Sequence, residues 1–469
     1  MTQYTLRSPV LAKGPDRSFW LQDAGAVPIT TPLSGDQTTD IAIVGGGYTG
    51  LWTALRLKEQ EPGLRVTILE ADCCGAGASG RNGGQVHSWF AEIDLLTEVV
   101  GETEALSLCH ATSDAIDELE SLQANGTIDM DLRLDGWLWT ASSRAQEGAW
   151  QKALVMTKAL GEDRFVLLDA EEIARRTGSR ASYIGIAERK AGTVQPAKLA
   201  VGLRQLALSR GVIIHERTPV TAIEPGTTVA LRTPEGSLKA GRVVLAANAW
   251  LASIPELLRC MYVVESQIVA TEPVPDLLDR IGWTGGGSIC DAQAHVLYYQ
   301  RTPKGRVVFG RGSGKIAYGD RIGASFNRGT EQGADNRREL GRVYPELKAA
   351  RIEHDWSGPI DCTADHLPIF DHLSGQPNIF FGIGFNGTGI AQTPVAGRIL
   401  ASLTLGRSDR WSQSALVGIS RRKTLPPEPI RYLGAKLVRK AIRLRNDAEI
   451  ENRSVNAIVR YFSELKPGR

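Results

Sequence analysis

The residues best placed to do chemistry in this 469-residue chain are three glycines and a carboxylate. Gly45, Gly47 and Gly50 stand in G-x-G-x-x-G spacing, with Tyr48 and Thr49 between the last two, directly after the apolar run 41–44. That run is too brief for a helix and suits a buried parallel strand. The first glycine permits a tight turn, the second lets backbone approach a pyrophosphate, and the third lets the helix predicted over 51–60 pack on the strand. Unpaired N–H groups at that helix start would receive phosphates. Pro62-Gly63 stops the helix, 65–69 reads as a second strand, and Glu70 stands at its end, 20 residues after Gly50. A carboxylate there would bind ribose hydroxyls. Strand, turn, helix, break, strand and acid in this order predict a dinucleotide site.

A second small-residue loop, Ala78-Ser79-Gly80-Arg81-Asn82-Gly83-Gly84, narrows the cofactor. A nicotinamide has no need of it, whereas a flavin lying extended across the fold needs donors along its pyrophosphate and ring. The segments GGGYTGL and ASGRNGG together resemble the FAD-dependent amine and amino-acid oxidases of the D-amino-acid oxidase superfamily, and within it the bacterial gamma-glutamylputrescine oxidase branch. The likeness runs over about residues 34–410. It implies an α/β fold in which a Rossmann-like FAD-binding domain of glutathione-reductase type is joined to a discontinuous substrate domain built on an antiparallel sheet. It also implies oxidation of a C–N bond by hydride transfer to flavin, hydrolysis of the imine, and reoxidation by molecular oxygen with release of hydrogen peroxide. The protein's own tasks would then be positioning, desolvation and flavin electronics. No Ser-His-Asp set or carboxylate pair stands out in the sequence, in keeping with that division of labour.

By the resemblance, Gly45, Gly47, Gly50, Glu70, Ser79, Arg81, Asn82 and Gly83 match FAD-binding positions, and Gly384, Gly387, Thr388 and Gly389 match a C-terminal flavin loop. Tyr48, Thr49, Gly84, Val220, Ala247 and Asn386 complete the expected cofactor set. Two departures matter. Related oxidases often read G-[FY]-S-G-H-G where this chain has Gly384-Phe385-Asn386-Gly387-Thr388-Gly389. The sarcosine-oxidase branch ties its flavin to a cysteine before T-P-D, and Cys362 precedes Thr363-Ala364-Asp365 in a register that does not match, so the FAD is expected to be non-covalent. Gly382, Gly384 and Gly387 repeat the G-x-G-x-x-G spacing, but no second strand or acid follows the helix beyond them. The helix start is better read as aimed at the flavin ring, its positive end stabilising negative charge there.

For the substrate, an amine or amino acid, the strand predicted over 297–301 offers Tyr299 and Arg301 on one face and Tyr298 and Gln300 on the other. Tyr299 and Arg301 are the expected wall residues, with Arg301 meeting a carboxylate or phosphonate, or else closing a strand end in solvent. Lys315, six residues after Phe309, has the place of an oxygen-activating lysine in the sarcosine-oxidase branch, or is a surface lysine. His87 and Trp89 either line the cavity near the ring or are packed.

The elements that must position these residues divide as follows. Residues 1–35 form an arm with Phe19 and Trp20 as anchors; 36–92, 188–260 and 355–410 form the FAD-binding domain; 93–187 and 261–354 form the substrate domain; 411–469 form a helical tail. Helices are expected over 93–122, 143–160, 169–176, 198–209, 329–343 and 391–405, and strands over 132–140, 212–215, 220–223, 229–232 and 242–250. Further strands over 267–271, 295–301 and 306–310 would make a cavity wall. In the tail, Ile430, Leu433, Leu437, Ala441 and Leu444 form an apolar stripe beside Arg431, Lys436, Arg439, Lys440, Arg443 and Arg445. Such a helix either docks its stripe on its own protein or lies on an anionic membrane.

Composition sets the outer limits. The chain is 42% apolar and 23% charged with a net charge of +2, so no global field points to nucleic acid. Six cysteines, Cys73 and Cys74 adjacent and the rest scattered, give neither a disulfide framework nor a metal-ligand spacing. With no secretory pattern over 1–36 and no stretch of 18 apolar residues, a cytoplasmic protein is expected.

Overall fold

The apolar run after Asp40 is the buried end of a ten-residue strand, Gly35–Val44. It lies parallel to Val66–Leu69 on one side and to Gly236–Leu245 on the other. Ile213–His215 extends the parallel set past Val66–Leu69. Gln376–Ile383 extends it past the C-terminal half of Gly236–Leu245, and Ile369–Leu373 closes that edge antiparallel. The other half of Gly236–Leu245 carries an antiparallel meander of Val229–Thr233, Ala222–Glu224 and, from the arm, Tyr4–Thr5. The computed structural model that shows this describes residues 3–10, 12, 17–312, 314–327, 331–419 and 423–465.

Helices Tyr48–Gln60, Pro196–Ser209 and Gly389–Leu405 contribute Leu51, Leu55, Leu199, Leu203, Val395 and Ile399 to one core with Ile41, Ile43, Val66 and Ile68. Helix Gly389–Leu405 crosses Tyr48–Gln60 so closely that a Cβ on Gly397 would sit 2.8 Å from Trp52 Cβ. A larger residue there would push the two helices apart.

The second sheet has eight strands in the order Ile352–Thr363, Met261–Thr271, Val307–Arg311, Leu297–Arg301, Ser288–Asp291, Trp137–Ala141, Ile184–Glu188 and Phe165–Asp169. Neighbours are antiparallel except for Ser288–Asp291 beside Trp137–Ala141. The expected switch between 354 and 355 falls inside one of these strands. Residues 352–363 pair with Met261–Thr271 as far as Thr363, so the chain crosses between sheets only after that residue. The expected helix over 93–122 is two helices, Ile93–Val100 and Glu102–Ala124, because Gly101 takes a φ of +82°. The helix expected over 143–160 begins only at Gln151. The start expected at 329 lies outside the described residues; the helix is described over Glu331–Val343.

The arm is stitched to the glycine-rich loop after Glu70. Ser18 Oγ donates to the Gly80 carbonyl, and Trp20 Nε1 donates to the Asn82 carbonyl at 2.9 Å. Trp20 is 1% exposed and stands edge-on to Trp356 of the second sheet. This one indole joins the arm, the loop and a strand. Trp20→Ala should therefore cost about 3–5 kcal/mol, the usual loss for a buried large aromatic. Urea unfolding of variant and parent measures it, and equal midpoints would show that the arm lies outside the cooperative unit.

Candidate active site

The glycine turn is built by close backbone approach. Gly45, at φ +110°, would place a Cβ 2.6 Å from the Ala246 carbonyl oxygen, and a Cβ on Gly50 would run into the carbonyl of Gly45. Ala246 N in turn donates to Val44 O. Gly46 N donates to Glu70 Oε2 at 2.7 Å, and Asp72 N to its Oε1 at 2.9 Å. Burial pushes the Glu70 carboxyl up to about 7, against the pull of these two donors. Ser79 Oγ accepts from Tyr48 N at 2.9 Å, tying the second loop to the first turn of the helix.

Within that second loop the side chains divide their work. Asn82 Oδ1 accepts from Gly84 N while its Nδ2 reaches back to Ala78 O and Ser79 O, so the loop closes on itself. Arg81 is buried, and its guanidinium donates to Ala76 O, Asn327 Oδ1 and Ser357 O. It serves as a clamp between the loop and the second sheet. Gly84, at φ +71°, has no room for a side chain against Gln300 and Val194.

The C-terminal loop hangs from a carboxylate that sequence reasoning passed over. Buried Asp361 accepts from Gly384 N, from Phe385 N at 3.3 Å and from Asn248 Nδ2 at 2.7 Å, while its own carbonyl accepts from Asn386 N. Asn386 answers by accepting from Thr363 N at 3.0 Å. The sequence had drawn attention to Cys362 next door, whose thiol is buried, pushed up by that burial and outside the cavity wall. Thr388 then starts helix Gly389–Leu405.

All three loops open on one cavity of about 1080 Å³. Small-molecule sites span roughly 300–1,000 Å³, so this one has room for an extended dinucleotide and a substrate beside it. Gly45, Gly47, Tyr48, Thr49, Glu70, Ser79, Arg81, Asn82, Gly83, His87, Val220, Ala247, Asn386, Gly387, Thr388 and Gly389 line it. Gly50, Gly84 and Gly384 shape the backbone behind that wall. At the end lined by the second sheet the wall is a lateral row across five strands, where Ile268 faces Gly310, Gly310 faces Tyr298, Tyr298 faces Cys290 and Cys290 faces Trp139. Tyr298 hydroxyl shares a hydrogen bond with Ser266 Oγ at 2.7 Å, and its ring is so near the second loop that a Cβ on Gly83 would lie 2.7 Å from it. His87 stacks on Trp137 at 4.9 Å, and burial holds its pKa below the ordinary value, keeping it neutral. Trp89 is packed in the core and off the wall.

That row corrects three expected roles. Alternation along Leu297–Arg301 holds, but it is Tyr298 that faces the cavity. Tyr299 packs on the opposite side of the sheet with Trp283, Phe309 and Tyr344. Arg301 points the same way and is held by Asp279 at 2.7 Å and by the Trp283 carbonyl. Period two fixes which residues share a face and leaves open which face is inside. Lys315 sits between Gly314 and Ile316, which line the cavity, but is not itself part of the lining, and its backbone pairs with Glu265.

The tail helix Ile430–Ile450 covers part of this chamber, with Ile430, Arg431, Gly434, Ala435, Val438, Arg439 and Ile442 on the cavity. Arg431 fastens it by donating to Leu258 O, Met261 O and Glu428. Most of the stripe expected to dock is elsewhere. Ala441 is buried, whereas Leu433, Leu437 and Leu444 are exposed, and Ile430 is 64% exposed although it touches the cavity rim.

Residues 40–403 match the family model described as FAD dependent oxidoreductase. The chain belongs to that family. It is 30% identical over 401 residues to the gamma-glutamylputrescine oxidoreductase of Escherichia coli, covering 85% of this chain and 91% of the relative. It is equally 30% identical over 388 residues to a probable oxidoreductase, OrdL, of Haemophilus influenzae, covering 81% and 86%. Among solved structures, glycine oxidase from Geobacillus kaustophilus superposes with a TM-score of 0.66 at 22% identity, over 80% of this chain and 96% of that one. The cavity of this FAD-dependent oxidoreductase fits its cofactor by its own geometry: glycines where a Cβ would block the approach, and a carboxylate at the end of the second strand.

Two outcomes follow. Glu70→Ala should weaken FAD binding by about 1–3 kcal/mol, the order of a lost charged hydrogen bond, with FAD released intact by acid. Fluorimetric titration of the apoprotein reads the affinity; an unchanged value removes Glu70 from the ribose. Arg301→Ala should leave kcat and KM as they are and lower the melting temperature, since its partners are structural. A raised KM with an unchanged melting temperature would return it to the substrate.

Proposed function

We propose that the protein oxidises a C–N bond of a small amine or amino acid, gamma-glutamylputrescine-like in class, and passes the electrons to oxygen. The observation that carries this is the continuity of the dinucleotide cradle with the chamber walled by Trp137, Trp139, Cys290 and Tyr298. Bound FAD supplies the hydride acceptor. The rest falls to the chain. Tyr298, held by Ser266, and neutral His87, held by Trp137, give the substrate two fixed polar edges in an aromatic wall. That wall excludes water, which strengthens every electrostatic contact inside. The 17-residue helix Gly389–Leu405 turns its N-terminus, at Gly389 and Ile390, toward the cavity, where the N–H groups of its first turn stabilise negative charge.

Oxygen is favoured over a nicotinamide partner because the second G-x-G-x-x-G leads into a helix followed by no strand among the described residues 406–419 and 423–465. A second reading, a dehydrogenase that reduces a membrane quinone, is favoured by one feature. The exposed residues Leu433, Leu437 and Leu444, with Ile458 and Tyr461 of the packed helix Ala457–Glu464, lie beside Lys436, Lys440 and Arg443, a combination suited to an anionic lipid surface. No described helix is long and apolar enough to cross a membrane.

Stopped-flow reoxidation of the reduced enzyme separates the two. The oxidase reading expects one peroxide per substrate and rapid reaction with oxygen; slow reaction with oxygen and fast reaction with a soluble quinone would replace it. Flotation with anionic liposomes, with and without residues 430–469, tests the tail.

A further inference from the structure

One carboxylate on the chamber wall has no counterpart in the chemistry above. Glu92 ends the turn Trp89–Glu92 and faces the cavity with His87, Trp137 and Trp139. It stands at the N-cap position of helix Ile93–Val100 without capping it. Among the described residues its side chain makes no hydrogen bond or ion pair, and the one charge acting on it is the like charge of Asp94. Burial and that neighbour push its carboxyl up to about 7.

Its surroundings are aromatic. The turn packs on helix Gln151–Ala159, and Trp150 at the head of that helix stands edge-on to Trp139 at 6.1 Å. Trp139 is tilted against Trp137 at 5.8 Å, and Trp137 stacks on His87. Neither the turn nor the strand Trp137–Ala141 carries a cation, and His87 is neutral. Arg164, which lies over the Phe90 ring of the turn at 4.4 Å, is paired with Glu162.

A carboxylate drawn out of bulk water without a partner is costly, and one that shares a cavity wall with indole rings is suited to bind an organic cation. We infer that Glu92, with the indoles of Trp137 and Trp139, forms a subsite for an ammonium group of the substrate that does not react. The distinction between the two nitrogens follows from the chemistry. As hydride leaves carbon, the lone pair of the reacting nitrogen becomes the new C=N bond, so that nitrogen must be unprotonated. A carboxylate with π faces around it holds a nitrogen protonated. The substrate class is thus an amine with a second cationic nitrogen, as in a diamine or an amine carrying an α-ammonium group. The inference rests on the proposed amine oxidation only for the identity of the substrate; the cation site stands on its own geometry.

The test uses the FAD-loaded enzyme and tetramethylammonium ion, a cation that cannot be oxidised by hydride loss from an unprotonated amine. Binding is read by calorimetry and by quenching of tryptophan fluorescence, with the neutral isostere tert-butanol as control. The ion should bind the parent and compete with a diamine substrate. Glu92→Gln should weaken it by about tenfold or more, the loss of a desolvated charge contact, and Glu92→Asp should recover part of the loss. Trp139→Leu should weaken the ion as well, which keeps the test open should the glutamine variant fail to fold. Failure of the ion to bind the parent, or equal binding to parent and Glu92→Gln, overturns the subsite. If the ion binds through Glu92 while diamines and monoamines all leave the flavin oxidised, the subsite stands and the oxidation reading falls.

Discussion

The parallel pairing of Gly35–Val44 with Gly236–Leu245 is the constraint on which the rest depends. It joins residues 201 positions apart and ends where Gly45 passes the Ala246 carbonyl too closely for any side chain. From that point each strand turns into the cavity. The first delivers the glycine cradle, whose Gly46 N–H meets Glu70 at the end of Val66–Leu69; the second delivers Ala247 and Asn248, and through Asn248 the carboxylate of Asp361. A non-local pairing is expensive in chain entropy. Here it is offset by a ladder ten residues long and by the core packed on both faces.

Around this crossing, loops are held by carboxylates that accept backbone N–H bonds. Glu70 holds Gly46 and Asp72; Glu216 holds Cys74 and Thr30 and is itself paired with Arg204; Asp361 holds Gly384 and Phe385. Irregular loops lining a cavity have backbone groups that no sheet or helix satisfies, and an unsatisfied buried N–H is costly. A carboxylate that accepts from two or three sites stiffens such a loop without filling the cavity. The same economy explains why Arg81, in a loop expected to touch FAD, spends its donors on Ala76, Asn327 and Ser357.

The tail gives the chamber a cover from outside the 40–403 family match. One side of helix Ile430–Ile450 meets the cavity through small and apolar residues, Gly434, Ala435, Val438 and Ile442, while Leu433, Leu437 and Leu444 are left bare. The face chosen for docking is the one with small residues because backbone can then come close beneath Arg431, which is anchored to Leu258 and Met261. Bare leucines beside lysines and arginines then remain available to a surface outside the molecule.

The dinucleotide turn, the acid at the end of the second strand, the loop 78–84 and the C-terminal helix start were legible in the sequence, and with them the family and its cofactor. Each is a local device, in which glycine spacing and the order of strand, turn and helix fix backbone geometry within a few tens of residues. Tertiary structure decided what depends on distant partners. Tyr298 rather than Tyr299 faces the chamber because Gly83 and Gly310 leave space on one side of the strand while Trp283 and Tyr344 fill the other. The strand after 352 stays in the second sheet because Met261–Thr271 pairs with it to Thr363. Asp361 and Glu92 carry no local pattern, and only the fold brings the first to two backbone donors and the Asn248 amide and leaves the second on an aromatic cavity wall. A sequence sets the period of its side chains, but the sign of each face comes from what packs against it.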